Sequence, residues 1–151
     1  MDVFHLEKLH SPRYSFILWL CFRNRLSIAG NLWYMDVHRN CGFCHTHLET
    51  VEHLFFVCPV TGTIWKVICE WLGIRRPLHT LHSSVEWMKK EWRGARLTRI
   101  ALACTVYSIW KARNTGLFGG AKATSDEMIL QIKVLTYKIL YRLYPSNMIN
   151  F

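Results

Sequence analysis

Six cysteines and eight histidines are scattered over 151 residues, yet three of the thiols and four of the imidazoles crowd into the single polar stretch from His38 to Cys58. Two residues separate Cys41 from Cys44, eight separate Cys44 from His53, and four separate His53 from Cys58, giving C-x2-C-x8-H-x4-C. Two cysteines at that spacing can fold into a tight loop that aims both sulfurs at one point, with Gly42 easing the turn. His53 and Cys58 would lie about 140° apart on an ideal α-helix and could not share a face. Pro59, however, disfavours α conformation at Cys58, so the chain leaves the helix there and the thiolate can swing back toward the imidazole. Three thiolates and one imidazole fill a tetrahedral zinc shell and leave no position for water, which makes the expected ion structural rather than catalytic. His45 and His47 rival His53 as the fourth ligand, although His45 directly follows Cys44 and would strain the loop. Cys21, Cys69 and Cys104 stand alone in apolar segments and read as small buried side chains.

The elements that must position this cluster read as helices, with almost no strand alternation. Arg13 to Leu26 follows Pro12 and has a buried apolar face, and a short helix is expected over Asn31 to Val37. Thr50 to Val57 and Thr61 to Leu72 carry apolar residues at helical spacing, and Gly73 ends the second run. Ile74 to His82 suits a connector. Ser83 with Glu86, and Thr124 with Glu127, each match a capping box and mark helix starts. Between them, Ala95 to Leu117 reads as a central helix closed by Gly116, Gly119 and Gly120. Met128, Ile132, Leu135, Ile139 and Leu143 form one apolar stripe, stopped by Pro145. The expected fold is therefore all-α, a small helical domain with a structural zinc-binding loop. Residues 1–73 form the zinc-binding part, and residues 74–151 a helical extension packed on it as one compact unit.

Composition narrows the function classes. Half of the chain is apolar, and seven Trp, eight Phe and six Tyr exclude a disordered tail. Nineteen Lys and Arg against ten Asp and Glu leave a formal charge of +9, which suits a polyanionic partner. The longest apolar runs, Phe16 to Phe22 and Ile100 to Val106, fall far short of the ~20 residues that cross a bilayer. No membrane association is expected, and the N-terminus lacks the pattern of a secretory signal. An intracellular setting, nuclear or cytoplasmic, keeps thiols reduced and leaves metal ligation as the use of clustered cysteine. The three aspartates, Asp2, Asp36 and Asp126, are dispersed, so no carboxylate cluster for two-metal polymerase or nuclease chemistry is encoded. No catalytic residue and no small-molecule substrate are expected.

The segments FILWLCFRNRL (Phe16 to Leu26), CGFC (Cys41 to Cys44), ETVEHLFFVCP (Glu49 to Pro59) and the following Ile64 and Trp65 resemble a known family in order and spacing. That family is the zinc-binding domain found C-terminal to reverse transcriptases of plant non-LTR (LINE-type) retrotransposons. The resemblance covers about residues 10 to 70, and SIWKARN (Ser108 to Asn114) is similar to a stretch that often follows. It again implies Cys41, Cys44, His53 and Cys58 as ligands, and it implies an accessory role beside a reverse transcriptase. SIAGNL after Leu26 departs from the family's usual turn.

Two functions from different classes follow. In the first, a zinc-organised helical module binds RNA or DNA, with Arg23, Arg25, Arg39, Arg75, Arg76, Arg93, Arg96 and Arg99 as candidate contacts. Arg96 and Arg99 share a helix face. In the second, the domain is a protein-interaction scaffold and exposes a large apolar patch.

Overall fold

Proline and single left-handed residues set the helix ends in this chain. The computed structural model describes residues 12–31, 34, 38–75, 81–92, 96–117 and 123–145. Helix α1 (Pro12–Phe22) begins on Pro12, whose fixed φ suits a first helical position. It ends four residues before the expected Leu26. Asn24 adopts φ +54°, the Asn24 amide bonds back to the Cys21 carbonyl at 3.1 Å, and the Arg25 amide bonds to the Leu20 carbonyl at 2.9 Å. This paired closure satisfies carbonyls that a helix end would otherwise leave open. Helix α2 (Pro59–Trp71) starts on Pro59 and ends the same way at Gly73, with φ +74° and the Ile74 amide bonded to the Cys69 carbonyl at 2.8 Å.

Helix α3 (Leu81–Trp92) already includes His82 and Ser83, so the connector is shorter than expected and Ser83 is not its N-cap. Residues 76–80 lie outside the described residues, as do most of the expected helix over 31–37 and residues 118–120. Ala29–Asn31 forms one 3-10 turn. Helix α4 (Arg96–Leu117) runs through Gly116 instead of being closed by it. Helix α5 (Ser125–Leu143) opens on the expected capping box: the Glu127 amide donates to Thr124 Oγ1 at 3.2 Å, and the Thr124 amide to Glu127 Oε2 at 2.8 Å.

The architecture is all-α, and the described residues hold no β-structure beyond one isolated antiparallel bridge, Asn40 with Leu48. Helix α4 packs against α1, α2, α3 and α5, while α2 also packs on α5. One contiguous apolar core results, in which Leu18, Leu54, Phe55, Ile64, Ile109 and Ile132 lose essentially all contact with water. Each such side chain contributes roughly 1.5–3 kcal/mol of transfer free energy. Trp71 meets Tyr137 edge-on at 5.7 Å, and Tyr14 meets Tyr107 at 4.4 Å, so rings join both α2 and α1 to the C-terminal helices. Cys21, Cys69 and Cys104 are buried, as expected. No helix among the described residues is long and apolar enough to cross a membrane.

Candidate metal centre

The loop that presents the first two thiols is held shut by its own backbone. Around the Asn40–Leu48 bridge, the Cys41 amide donates to the His47 carbonyl at 2.7 Å and the Glu49 amide to the Arg39 carbonyl at 2.8 Å. Inside it, the His45 amide donates to the Cys41 carbonyl at 2.9 Å and the Phe43 amide to Cys41 Sγ at 3.4 Å. The left-handed position of this turn is His45, at φ +60°. Gly42 was expected to ease the turn, but it needs no positive φ. Its amide matters instead, as described below.

The second pair comes from a widened turn that sequence periodicity did not foresee. Val51 and Glu52 begin an α-turn, and His53–Val57 then continues as a π-helix, with the Cys58 amide bonded to the His53 carbonyl at 2.8 Å. In an i→i+5 turn, residues five apart stand roughly one turn above each other, so the ~140° separation of an ideal α-helix no longer applies. Cys58 itself is extended (φ −54°, ψ 133°), the conformation favoured before proline, and Pro59 opens α2. The wide turn and the proline together return the Cys58 thiol to His53.

The Cys41, Cys44 and Cys58 Sγ atoms and a ring nitrogen of His53 all lie within 4.8 Å of one another. Cys41 Sγ is 3.9 Å from Cys58 Sγ, and Cys44 Sγ is 3.2 Å from His53 Nε2. A tetrahedral ion with bonds of about 2.3 Å places its sulfurs roughly 3.8 Å apart, so both the donor chemistry and the spacing fit zinc. All six cysteines are free thiols. His47 reaches Cys44 Sγ at 3.9 Å and stacks on the His53 ring at 5.1 Å, but it is not in the converging set, and His45 is exposed. Cys41 and Cys58 are fully buried, and His53 nearly so.

The thiols are already polarised for metal binding. A hydrogen bond from the Cys41 thiol, helped by the Thr61 and Val60 amides, lowers Cys58 to about 4 against the opposing effect of burial, while the same bond raises Cys41. Burial works against ionisation of Cys44, yet the Thr46 hydroxyl and amide, with His47 and His53, bring it down to about 6. These hydrogen bonds favour the thiolate form of Cys58 and Cys44, the form that binds metal.

Residues 3–65 match a known family, zinc-binding in reverse transcriptase. That match and the Cys3His cluster together support a zinc-binding domain with one structural zinc. The match takes in less than half of the chain and ends within α2, leaving α3, α4 and α5 beyond it. No curated protein and no solved structure matches the chain.

Besides the packing of α1 and α2 on α4 and α5, a buried ion pair that sequence reasoning missed joins the zinc loop to α4. Glu49, at the exit of the zinc loop, and Arg113, near the end of α4, are 1% and 7% exposed. Arg113 Nε donates to both Glu49 oxygens at 3.1 and 3.3 Å, and Nη2 makes a further short bond to Oε1. Glu49 Oε1 also accepts from the Ala29 amide at 2.9 Å, and Oε2 accepts from the Gly42 amide at 3.2 Å. The Glu49 carbonyl accepts from the Gly30 amide at 3.0 Å, at an approach so close that a Cβ on Gly30 would lie 2.2 Å from that oxygen. Gly30 is therefore required here for space. Arg113 is completed by Asn114 Oδ1 at 3.0 Å and by the Trp110 ring at 5.3 Å. One carboxylate thus ties together the segment after α1, the zinc loop and α4. A signal for it existed in the sequence, since Leu102, Val106, Ile109 and Arg113 continue one buried stripe of α4, and a charge on such a stripe needs a buried partner.

The expected nucleic-acid cations are carried by several elements. Arg23 and Arg25 follow α1, Arg39 precedes the zinc loop, Arg75 follows α2, and Arg96 and Arg99 occupy the first turn of α4. Arg23 lies over the Trp19 ring at 5.8 Å and Arg96 over the Tyr144 ring at 4.0 Å. Arg76 and Arg93 lie outside the described residues.

Proposed function

We propose that the chain is a nucleic-acid-binding accessory module, ordered by one zinc ion on Cys41, Cys44, His53 and Cys58, that holds RNA or DNA beside a reverse transcriptase. The observation that carries this reading is the match of residues 3–65 to zinc-binding in reverse transcriptase, made by a chain of net charge +9. A filled Cys3His shell has no open position for substrate, so the ion organises the fold and leaves chemistry to a partner. On this reading the module has no polymerase or nuclease activity of its own. The likeness of the quoted segments to plant non-LTR elements makes element RNA or target DNA the natural ligand, met inside the cell where thiols stay reduced.

Fluorescence anisotropy with a labelled single-stranded RNA tests the reading. Binding should weaken steeply as salt rises from 50 to 200 mM, because each neutralised phosphate releases a counterion. Undetectable or salt-insensitive binding would count against it.

The exposed apolar side chains Phe16 and Leu130, 58% and 63% accessible, favour a second reading as a protein-interaction scaffold. That reading predicts self-association in light scattering, and a clean monomer at high concentration would remove its support.

A further inference from the structure

Two adjoining cavities, ≈ 620 and ≈ 840 Å³, run between α1, α4 and α5 and share Arg13, Tyr14, Leu135 and Lys138 in their walls. Lys111 completes the first wall and Arg142 the second, and no carboxylate lines either cavity. Four cations converging on one furrow repel one another, and that arrangement is stabilised when a polyanion lies between them. Lys138 and Arg142 are four residues apart on α5 and so stand on one face, both exposed. Tyr107 lies beside Arg13 and favours its charged form.

Aromatic side chains continue the furrow along the outer face of α1. Phe16 lines the second cavity and stacks on Trp19 at 6.3 Å with an interplanar angle of 18°. Both rings are exposed, at 58% and 37%, and Arg23 lies over the Trp19 ring at 5.8 Å. Exposed rings in register with a line of cations are what a single strand needs, since bases stack on π-faces while the backbone follows the charge. An acidic peptide would use the cations but gain little from the stacked rings.

We propose that the α1–α5 furrow, with Arg13, Phe16, Lys111, Lys138 and Arg142 on its walls and Trp19 stacked on Phe16, is a binding track for a single-stranded nucleic acid. The proposal rests on the nucleic-acid reading above and moves its site away from Arg25, Arg39, Arg75, Arg96 and Arg99, none of which lines the furrow.

The test uses the full zinc-loaded chain and a fluorescein-labelled single-stranded RNA 15-mer. Three variants are compared: Lys138→Ala with Arg142→Ala, Phe16→Ala with Trp19→Ala, and Arg25→Ala with Arg39→Ala and Arg75→Ala. Zinc content serves as the fold check for each. Loss of two phosphate contacts should lower affinity at least tenfold at 100 mM salt and flatten the log–log salt slope by about 1.4. Loss of the rings should weaken binding by about 5- to 150-fold with the salt slope unchanged. The third variant should bind within threefold of the unaltered protein. If it instead loses binding while both furrow variants keep it, the furrow is wrong and the nucleic-acid reading survives. No binding by the unaltered protein defeats both. Equal displacement of the RNA by poly-glutamate at matched charge would overturn the single-strand assignment in favour of an acidic protein partner.

Discussion

The zinc loop and helix α5 lie in one chain but are held by opposite means. Along α5, Met128, Ile129, Ile132, Thr136, Ile139 and Leu140 are buried against the core, so apolar burial and a sound N-cap suffice. Between His38 and Thr50, only Cys41 and Glu49 are buried, while His45, Thr46, His47 and Leu48 face water. So short a loop cannot bury enough apolar surface to offset its ordering entropy. Its geometry must come from a metal shell and from one buried ion pair. The contrast teaches that the two regions should fail separately, and that Glu49 with Arg113 is where a failure in the zinc loop can reach the C-terminal helices.

Metal removal should separate the regions most sharply. Structural zinc contributes on the order of 10–16 kcal/mol in isolated zinc fingers, where the apo form unfolds entirely. Here the core of α1, α2, α4 and α5 remains, so chelation should abolish hydrogen-exchange protection over residues 38–50 while far-UV circular dichroism keeps most of its helical signal. Global loss of helix on chelation would mean that the two regions are not independent.

The ion pair comes next. Arg113→Ala leaves Glu49 charged and buried without its partner, which costs about 3–5 kcal/mol. Urea denaturation should report that loss, and zinc affinity should fall with it, because Glu49 Oε2 holds the Gly42 amide inside the loop. A change within 0.5 kcal/mol, in the range of ordinary surface substitutions, would mean that the pair does not couple α4 to the metal site.

Proton linkage gives a smaller effect with a definite sign. Cys58 and Cys44, lowered to about 4 and about 6, contribute thiolates that persist until pH falls through those values, whereas Cys41 is raised and stays protonated at neutral pH. Zinc must therefore displace about one proton near pH 7.5 instead of about three from unperturbed thiols. Calorimetry in buffers of different ionisation enthalpy counts them directly, and affinity should rise about tenfold per pH unit between 6.5 and 8. A release near three would show that the hydrogen bonds do not hold Cys58 and Cys44 as thiolates.

The smallest change belongs to α5. Thr124→Ala removes the cap accepting from the Glu127 amide and should cost about 1 kcal/mol, with zinc content unchanged. A loss of zinc in this variant would erase the distinction between the regions.

Much of this was legible in the sequence, for identifiable reasons. Pro12, Pro59, Gly73 and the Thr124–Glu127 pair act locally, so they mark helix boundaries without reference to tertiary structure. The four metal donors were found because Cys3His chemistry imposes its own spacing. The route by which Cys58 returns to His53 was only half readable: Pro59 announced the extended Cys58, but nothing in periodicity announces a π-turn over His53–Val57. The end of α1 was missed because Asn24, unlike Gly73, does not advertise a left-handed conformation. Glu49 with Arg113 was missed because 64 residues separate them, and neither charge has a local partner that would mark it. Which arginines meet a ligand was not legible at all, since charge on a sequence does not say which cations converge.

The central claim is that the chain holds one structural zinc on Cys41, Cys44, His53 and Cys58. Elemental analysis of zinc per purified chain tests it most directly, on the unaltered protein and on His53→Ala, His47→Ala and Cys58→Ser. The account predicts one zinc per chain in the unaltered protein and in His47→Ala, with loss of stoichiometric zinc in His53→Ala and Cys58→Ser. A metal-free unaltered protein, or full zinc in His53→Ala with loss in His47→Ala, would contradict it.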